Sequence, residues 1–210
     1  AAEAKFNGKI TSAFTPNIGF DASTTQLFEQ LVADGNNLII ANTEYGDLMS
    51  TVTDKNPDVK FLECDGHKFT SNLFGYYMAH ADTAYQLGVA AGMLAPSGKI
   101  GYIGGVRIPL LQKFEAGFVA GVKATKKSAT VDVKYVTEPP DFGGFNDPAK
   151  GKTIAQQFIG QKADVVFQIA GLTGQGALEA ACAANVYGIG VDVDQALSIP
   201  AVAKCLLTSA

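Results

Sequence analysis

Residues 163 to 195 begin with Ala163-Asp-Val-Val-Phe-Gln-Ile-Ala-Gly-Leu-Thr-Gly-Gln-Gly176 and end with Tyr187-Gly-Ile-Gly-Val-Asp-Val-Asp-Gln195. Each segment is an apolar strand that leads into a loop of small or acidic residues, and the stretch between them has helical spacing. The pattern predicts a βαβ unit with two parallel strands. Ligands of open parallel sheets bind outside the carboxyl ends of the strands, where this run places Gly171, Thr173, Asp192 and Asp194. None of the four is an obvious nucleophile or base, which favours binding over catalysis.

The same alternation of strands and helices continues through the rest of the chain. Apolar runs predict strands at residues 9–14, 38–41, 60–64, 99–103 and 131–136. Helical spacing predicts helices at residues 23–33, 47–53, 78–94 and around 111–122. Asp147-Pro148 is typical of an N-cap followed by proline at the first helical position. The small residues of the 78–94 helix predict close packing against a neighbour. The predicted fold class is α/β, with parallel sheets covered on both faces.

Composition limits the kind of protein this can be. The chain has 210 residues, of which 47% are apolar and 17% charged, and its formal net charge is −4. These values are typical of an ordered globular protein. Because the sequence has no basic stripe, we do not expect a nucleic-acid partner. No apolar run approaches the roughly 20 residues that span a bilayer.

The three cysteines, Cys64, Cys182 and Cys205, are an odd number without paired spacing. We interpret them as buried free thiols rather than as a disulfide framework, and the sequence leaves the redox compartment open. Cys64 lies near Asp65 and His67 after a predicted strand. A lasting metal site needs three or four converging ligands, so we predict no metal here.

Three patterns similar to enzyme motifs are each incomplete. The run Asn146-Asp-Pro-Ala-Lys-Gly-Lys-Thr153 lacks the first glycine of a phosphate-binding loop, and its proline removes a backbone donor. Gly101-Tyr-Ile-Gly-Gly105 does not have the spacing of a dinucleotide fingerprint. Asp192 and Asp194 alternate along a predicted strand end, so their carboxylates should point to opposite faces rather than form a catalytic pair. We therefore predict no catalytic residue and no cofactor.

Three aromatic residues, Tyr45, Phe142 and Phe145, lie in loops at predicted strand ends. An aromatic side chain in such a loop either covers the edge of a core or stacks on a flat ligand. Stacking would be worth about 0.5–1.5 kcal/mol beyond area burial. The residues alone leave both interpretations open.

Several longer pieces of the sequence occur together in one known family, in the same order and over nearly the whole chain. They are Asp34-Gly-Asn-Asn-Leu-Ile-Ile, Asn56-Pro-Asp-Val-Lys-Phe, Ser97-Gly-Lys-Ile-Gly-Tyr-Ile-Gly-Gly, Phe114-Glu-Ala-Gly-Phe-Val-Ala-Gly-Val-Lys-Ala, Phe145-Asn-Asp-Pro-Ala-Lys-Gly-Lys, Ala170-Gly-Leu-Thr-Gly-Gln-Gly, Ile189-Gly-Val-Asp-Val-Asp-Gln and Leu207-Thr-Ser. With these pieces the chain resembles the basic membrane protein (BMP) family. Its members are substrate-binding lipoproteins of ABC importers and include purine nucleoside receptors.

The resemblance implies the type I periplasmic-binding-protein fold, in which two doubly wound α/β lobes joined by a hinge enclose the ligand. It implies that residues 1–76 belong to lobe 1 and that residues 77–208 form a complete lobe 2. We expect lobe 1 to be incomplete, because nothing here matches the family's first strand, its base-contacting motif or its C-terminal return. The resemblance thus leads us to expect a fragment that binds ligand weakly or not at all by itself.

Positions that match the family imply a ligand site. Phe145 would stack on the ligand, Asp192 would accept hydrogen bonds from ribose hydroxyls, and Gly171 would allow close backbone approach. Tyr45 and Asp65 are looser matches in lobe 1. The implied partners are a purine nucleoside or nucleobase and an ABC transporter permease. The implied location is the periplasm or cell surface, with a lipid anchor outside this chain as the only membrane attachment.

Other functions stay open on the sequence. The same architecture can hold riboflavin or a sugar, and it also serves as the ligand-sensing domain of receptors and regulators. A doubly wound enzyme is the third class, and it would need a phosphate loop or an acid–base pair.

Overall fold

The computed structural model describes residues 2–15, 22–42, 46–66 and 68–210. The predicted site residue Tyr45 and the candidate metal ligand His67 therefore lie outside the described residues. The chain divides into two units, unit 1 (Ala1–Met78) and unit 2 (Ala79–Ala210). Among the described helices, none combines the length and the apolar character that crossing a membrane requires.

The described part of unit 1 is a small parallel sheet with helices. Its elements are α1 (Ala2–Lys5), α2 (Ala22–Ala33), β1 (Leu38–Asn42), α3 (Gly46–Thr53), β2 (Lys60–Cys64) and β3 (Leu73–Tyr76). The strands lie in the order β1-β2-β3 and all neighbours are parallel. Four elements predicted from periodicity, α2, β1, α3 and β2, are confirmed to within one residue at each end.

The strand predicted at residues 9–14 is wrong. Residues 9 and 10 form a bend, and residues 11–15 have no regular structure. The Glu3 carboxylate accepts hydrogen bonds from the backbone N–H and the hydroxyl of Ser12, and Phe14 is 87% exposed. Apolar alternation forms a strand only where another strand pairs with its backbone, and no described strand pairs with this segment.

The two faces of the unit 1 sheet differ. Ile39, Phe61 and Leu73 share one cross-strand row and are buried in a cluster with Phe28 of α2 and Met49 of α3. Large apolar side chains on the opposite face are exposed, namely Leu38, Ile40, Phe74 and Tyr76. Parallel sheets normally have both faces covered. The exposed face therefore agrees with the expectation that this lobe is incomplete.

Unit 2 is a five-stranded parallel sheet covered on both faces. Its elements are α4 (His80–Leu94), β4 (Lys99–Val106), α5 (Pro109–Thr125), β5 (Thr130–Thr137), α6 (Pro148–Gly160), β6 (Val165–Ile169), α7 (Gly171–Ala183), β7 (Tyr187–Gly190), α8 (Gln195–Ser198) and β8 (Leu206–Ser209), with 3-10 turns at Gly143–Phe145 and Pro200–Val202. Ile100 and Tyr102 of β4 pack with α4 and α5, whereas Ile103 packs with α6 and α7. The α/β class is confirmed, and so is the βαβ unit formed by β6, α7 and β7.

Helices α4 and α5 touch backbone to backbone. A Cβ added to Gly88 would overlap the Phe118 carbonyl, and one added to Gly121 would overlap the Tyr85 carbonyl. Glycine lets the two helix backbones approach this closely because it has no side chain. The close packing predicted from the small residues of α4 is therefore confirmed.

The interpretation of the cysteines as free thiols is wrong for two of the three. A disulfide joins Cys182 of α7 to Cys205, which precedes β8, and Cys64 is free. The parallel pairing of β7 with β8 places the start of β8 beside the last turns of α7. That neighbourhood depends on tertiary structure, so the sequence spacing could not reveal it.

Candidate functional site

The unit 2 sheet has a topological switch point between β4 and β6. The strand order is β5-β4-β6-β7-β8, so the chain leaves β4 to one side for β5 and returns to its other side for β6. Crossover connections from neighbouring strands then run to opposite faces of the sheet and leave a crevice outside their carboxyl ends. The residues that follow β4, β6 and β7 are therefore the candidate ligand site.

Phe145 lies at this switch point. It ends the 3-10 turn Gly143–Phe145, and its ring rests on the backbone of Gly105 near the end of β4, because a Cβ at Gly105 would overlap the ring. The carbonyl oxygen of Phe145 is 3.1 Å from the ideal Cβ position of Gly171, the first residue of α7. The side chain is half-buried against the core. Phe145 and Gly171 are thus brought together at this edge of the sheet.

Thr173 holds the Phe145 loop in place and does not contact solvent. Its hydroxyl donates to the Gly144 carbonyl at 2.7 Å and accepts from the Asp147 N–H at 2.8 Å. The residue is fully buried, so the expectation that Thr173 lies where a ligand sits is wrong. Asp147 in turn caps α6 by accepting from the Lys150 N–H at 2.8 Å, which confirms the predicted N-cap.

We expect Thr173→Val to destabilise unit 2 by about 2 kcal/mol, because the buried Gly144 carbonyl and the part-buried Asp147 N–H would lose their partner. Thr173→Ser keeps the hydroxyl and should cost about 1 kcal/mol or less, the value of one buried methyl group. Urea unfolding of the two variants measures the difference. Equal stability of the valine and serine variants would show that the hydroxyl contributes no more than the methyl group at this position, which would contradict the prediction.

Gly171 and Asp192 both adopt left-handed backbone conformations directly beyond strand ends. Their φ angles are +55° and +66°, in the region that glycine adopts freely and that Asn or Asp tolerates best among other residues. Both residues are exposed. The Asp192 N–H donates to the Ala210 carbonyl at 3.0 Å, which ties this loop to the end of β8.

The expected alternation of Asp192 and Asp194 along a strand is wrong. Strand β7 ends at Gly190, two residues before Asp192, and the left-handed turn breaks the two-residue period. The Asp194 carboxylate caps α8 by accepting from the Ala196 N–H at 3.0 Å. Asp194 therefore has a local structural role, and Asp192 is the carboxylate displayed at the sheet edge.

Asp65 belongs to unit 1, where it directly follows β2. It is 8% exposed and has a φ of +63°. Its neighbour Glu63 is also buried, at 1% exposed. The residue directly after β2 therefore carries a buried carboxylate.

Two buried glutamines were missed in the sequence. Gln168 lies in β6 and Gln195 begins α8, and they are 0% and 7% exposed. Gln168 Nε2 donates to Gln195 Oε1 at 2.9 Å. A signal was present, because an amide inside the continuous apolar run around Gln168 must find a hydrogen-bond partner once it is buried.

Arg107 was also missed, and it follows β4 directly. Its guanidinium carbon lies 4.2 Å from the centre of the Tyr135 ring, and its Nε donates to Glu138 at 2.8 Å. The Tyr135 hydroxyl donates to Glu115 at 2.7 Å. Burial raises the pKa of Tyr135, and the hydrogen bond to Glu115 raises it further. Tyr135 therefore stays neutral as a donor, and Arg107 is a cation held in place at the end of β4.

The described residues contain no cluster of three or more His, Cys, Asp or Glu side chains that could hold a metal ion. The groups at the sheet edge include an aromatic ring, a carboxylate and a glycine turn, beside the Arg107 guanidinium. Such groups can stack on a flat ligand and accept hydrogen bonds from its hydroxyls.

Comparisons with known proteins identify relatives of the chain. A 158-residue match is 39% identical to the "ABC transporter nucleoside-binding protein BmpA" of Lactococcus lactis subsp. cremoris and covers 71% of this chain and 43% of that protein. A 211-residue match is 28% identical to "Basic membrane protein A" of Borreliella burgdorferi and covers 94% of this chain and 60% of that protein. The chain thus spans about half the length of these relatives.

A solved structure has a similar fold. The match to an ABC transporter solute-binding protein from Aeropyrum pernix K1 has a TM-score of 0.77 at 23% identity, and covers 88% of this chain and 53% of that one. The profile of the family described as "Bmp: ABC transporter substrate-binding protein PnrA-like" matches residues 2–209. The chain therefore has the fold of the periplasmic binding proteins, with one lobe incomplete, and it belongs to the Bmp family of PnrA-like ABC transporter substrate-binding proteins.

Proposed function

We propose that this protein captures a purine nucleoside or nucleobase and delivers it to the permease of an ABC importer, by reversible binding without covalent chemistry. The observation that carries the proposal is the half-buried Phe145 ring at the β4/β6 switch point, with the Asp192 carboxylate displayed beyond β7 on the same sheet edge. An aromatic plate suits a flat base, and a carboxylate suits ribose hydroxyls. The name of the Lactococcus relative supports the nucleoside class.

We infer the site and organisation that follow from this function. Residues 77–208 are the complete lobe, in which Phe145, Asp192 and Gly171 contact the ligand. Residues 1–76 are part of the other lobe, to which Tyr45 and Asp65 contribute. The proposed location is the outer face of the cytoplasmic membrane, through a lipid anchor. The disulfide in unit 2 supports an extracytoplasmic location, because disulfides persist mainly in oxidising compartments.

The test compares Asp192→Asn with the wild type by isothermal titration of guanosine, adenosine and adenine into the longest natural form of the protein. We expect nucleoside affinity to fall roughly 10- to 100-fold, the value of a charge-assisted hydrogen bond, and adenine affinity to change little. Asparagine tolerates the left-handed backbone of Asp192, so the fold should survive. Asp194→Asn is the matched control, because asparagine also caps a helix and should leave binding unchanged.

The same titrations test Phe145. Phe145→Ala should weaken nucleoside and base binding alike, by about 10-fold, because both ligands present a flat ring to the side chain. Unchanged affinity would mean that Phe145 only covers the core edge. Wild-type protein that binds riboflavin or a sugar, and no purine, would overturn the proposed ligand class.

A further inference from the structure

Two buried amides connect the loops that follow β6 and β7. Gln168 Oε1 accepts from the Ala170 N–H at 3.1 Å, and its Nε2 donates to Gln195 Oε1 at 2.9 Å. Gln195 Oε1 also accepts from the Val191 N–H at 3.0 Å. One continuous chain of hydrogen bonds therefore runs from the backbone after β6 to the backbone after β7.

Each end of this chain lies one residue before a displayed site residue. Ala170 precedes Gly171 and Val191 precedes Asp192, and both of these following residues have positive φ angles. The hydrogen bonds therefore hold the backbone where each loop turns left-handed. Fixing both N–H groups to one amide pair fixes the spacing between the two loops.

The surrounding backbone leaves room for the two amides. A Cβ at Gly174 in α7 would overlap Gln168 Oε1, and a Cβ at Gly190 at the end of β7 would overlap Gln195 Oε1. Both amides are buried, and each is hydrogen-bonded to the other and to a backbone N–H, so the pair forms a polar network inside the core edge. Networks of this kind favour one geometry because any other arrangement leaves a buried donor unpaired.

We propose that Gln168 and Gln195 are positioning residues, which hold the Gly171 and Asp192 loops at the separation that the ligand requires. This proposal rests on the proposed function, since it assigns these loops to ligand binding. Gln195 is the critical member, because its single Oε1 accepts from both Gln168 and Val191.

The test uses Gln195→Met in the longest natural form of the protein, with Val166→Ala as the matched control. Val166 is buried in the same strand as Gln168 but makes no side-chain hydrogen bond. Guanosine affinity is measured by titration at a temperature where every variant is folded. Hydrogen exchange is measured without ligand at the backbone amides of residues 170–172 and 191–193.

We expect Gln195→Met to weaken guanosine binding at least about tenfold and to accelerate exchange in both loops. Val166→Ala should lower the melting temperature but change neither the guanosine affinity nor the hydrogen exchange of the two loops. Equal affinity losses in the two variants, or unchanged exchange in the loops, would overturn the positioning role. If the wild type binds no purine, the proposed function fails, and the exchange data alone decide whether the amides hold the loops.

A second variant covers the case in which Gln195→Met does not fold. Gly174→Ala keeps both amides and replaces glycine by a better helix former, but its methyl group should displace Gln168. We expect the same loss of guanosine affinity and the same faster exchange in the two loops. Wild-type affinity and exchange in this variant would overturn the proposal.

Discussion

Replacing both Cys182 and Cys205 by alanine is expected to lower the free energy of unfolding of unit 2 by about 3 kcal/mol. The disulfide closes a segment with a sequence separation of 23 residues. In the chain-entropy description, a closed loop of this length restricts the unfolded chain by roughly 3 kcal/mol at 25 °C. The segment includes Asp192, so the cross-link stabilises the part of unit 2 that carries the proposed carboxylate.

Urea unfolding followed by hydrogen exchange of unit 2 peptides measures this loss. The midpoint should fall by roughly 1–3 M urea for slopes of 1–3 kcal/mol/M. Reducing agent should shift the wild type in the same direction and leave the double variant unchanged. Cys64→Ala removes the free cysteine of unit 1 and is the control. An unfolding midpoint that does not respond to reduction would contradict a stabilising role for the disulfide.

Most elements of the fold could be predicted because their signals are local. The strands of the 163–195 run are short apolar segments, and the helix between them follows the 3.6-residue period. The cap at Asp147 followed by Pro148 is a two-residue signal that needs no tertiary information. The error at residues 9–14 has the same origin, since a local alternation cannot report whether a partner strand exists.

The candidate site was less predictable, because its geometry depends on contacts between distant segments. Phe145 lies on Gly105, forty residues earlier in the chain, and the buried Thr173 of α7 holds the loop that carries Gly144 and Asp147. The sequence indicates polar and aromatic residues at strand ends but not which of them face inward. The Gln168–Gln195 pair likewise forms only after β6 and β7 pair, and the disulfide between Cys182 and Cys205 forms only after β7 and β8 pair.

A double substitution at the α4–α5 contact is expected to have the largest effect on stability. In α5, a Cβ at Gly117 would overlap the Ala81 carbonyl, and one at Gly121 would overlap the Tyr85 carbonyl. Both obstacles are backbone atoms of α4, which cannot rotate away as a flexible side chain can. Gly117→Ala with Gly121→Ala must therefore separate the two helices, and overpacking of this kind costs about 1–3 kcal/mol per site and sometimes more. We expect a loss of roughly 4 kcal/mol.

Helix propensity acts in the opposite direction, so the sign of the stability change distinguishes the two effects. Each glycine-to-alanine change inside a helix is favourable by about 1 kcal/mol where space is free. Gly160, the last residue of α6, provides that reference, because nothing lies within 4 Å of its ideal Cβ position. Gly160→Ala should leave the urea midpoint unchanged or raise it slightly, whereas the double variant should lower it. If both variants gained stability, propensity would dominate and the α4–α5 backbones would not be in the close contact described above.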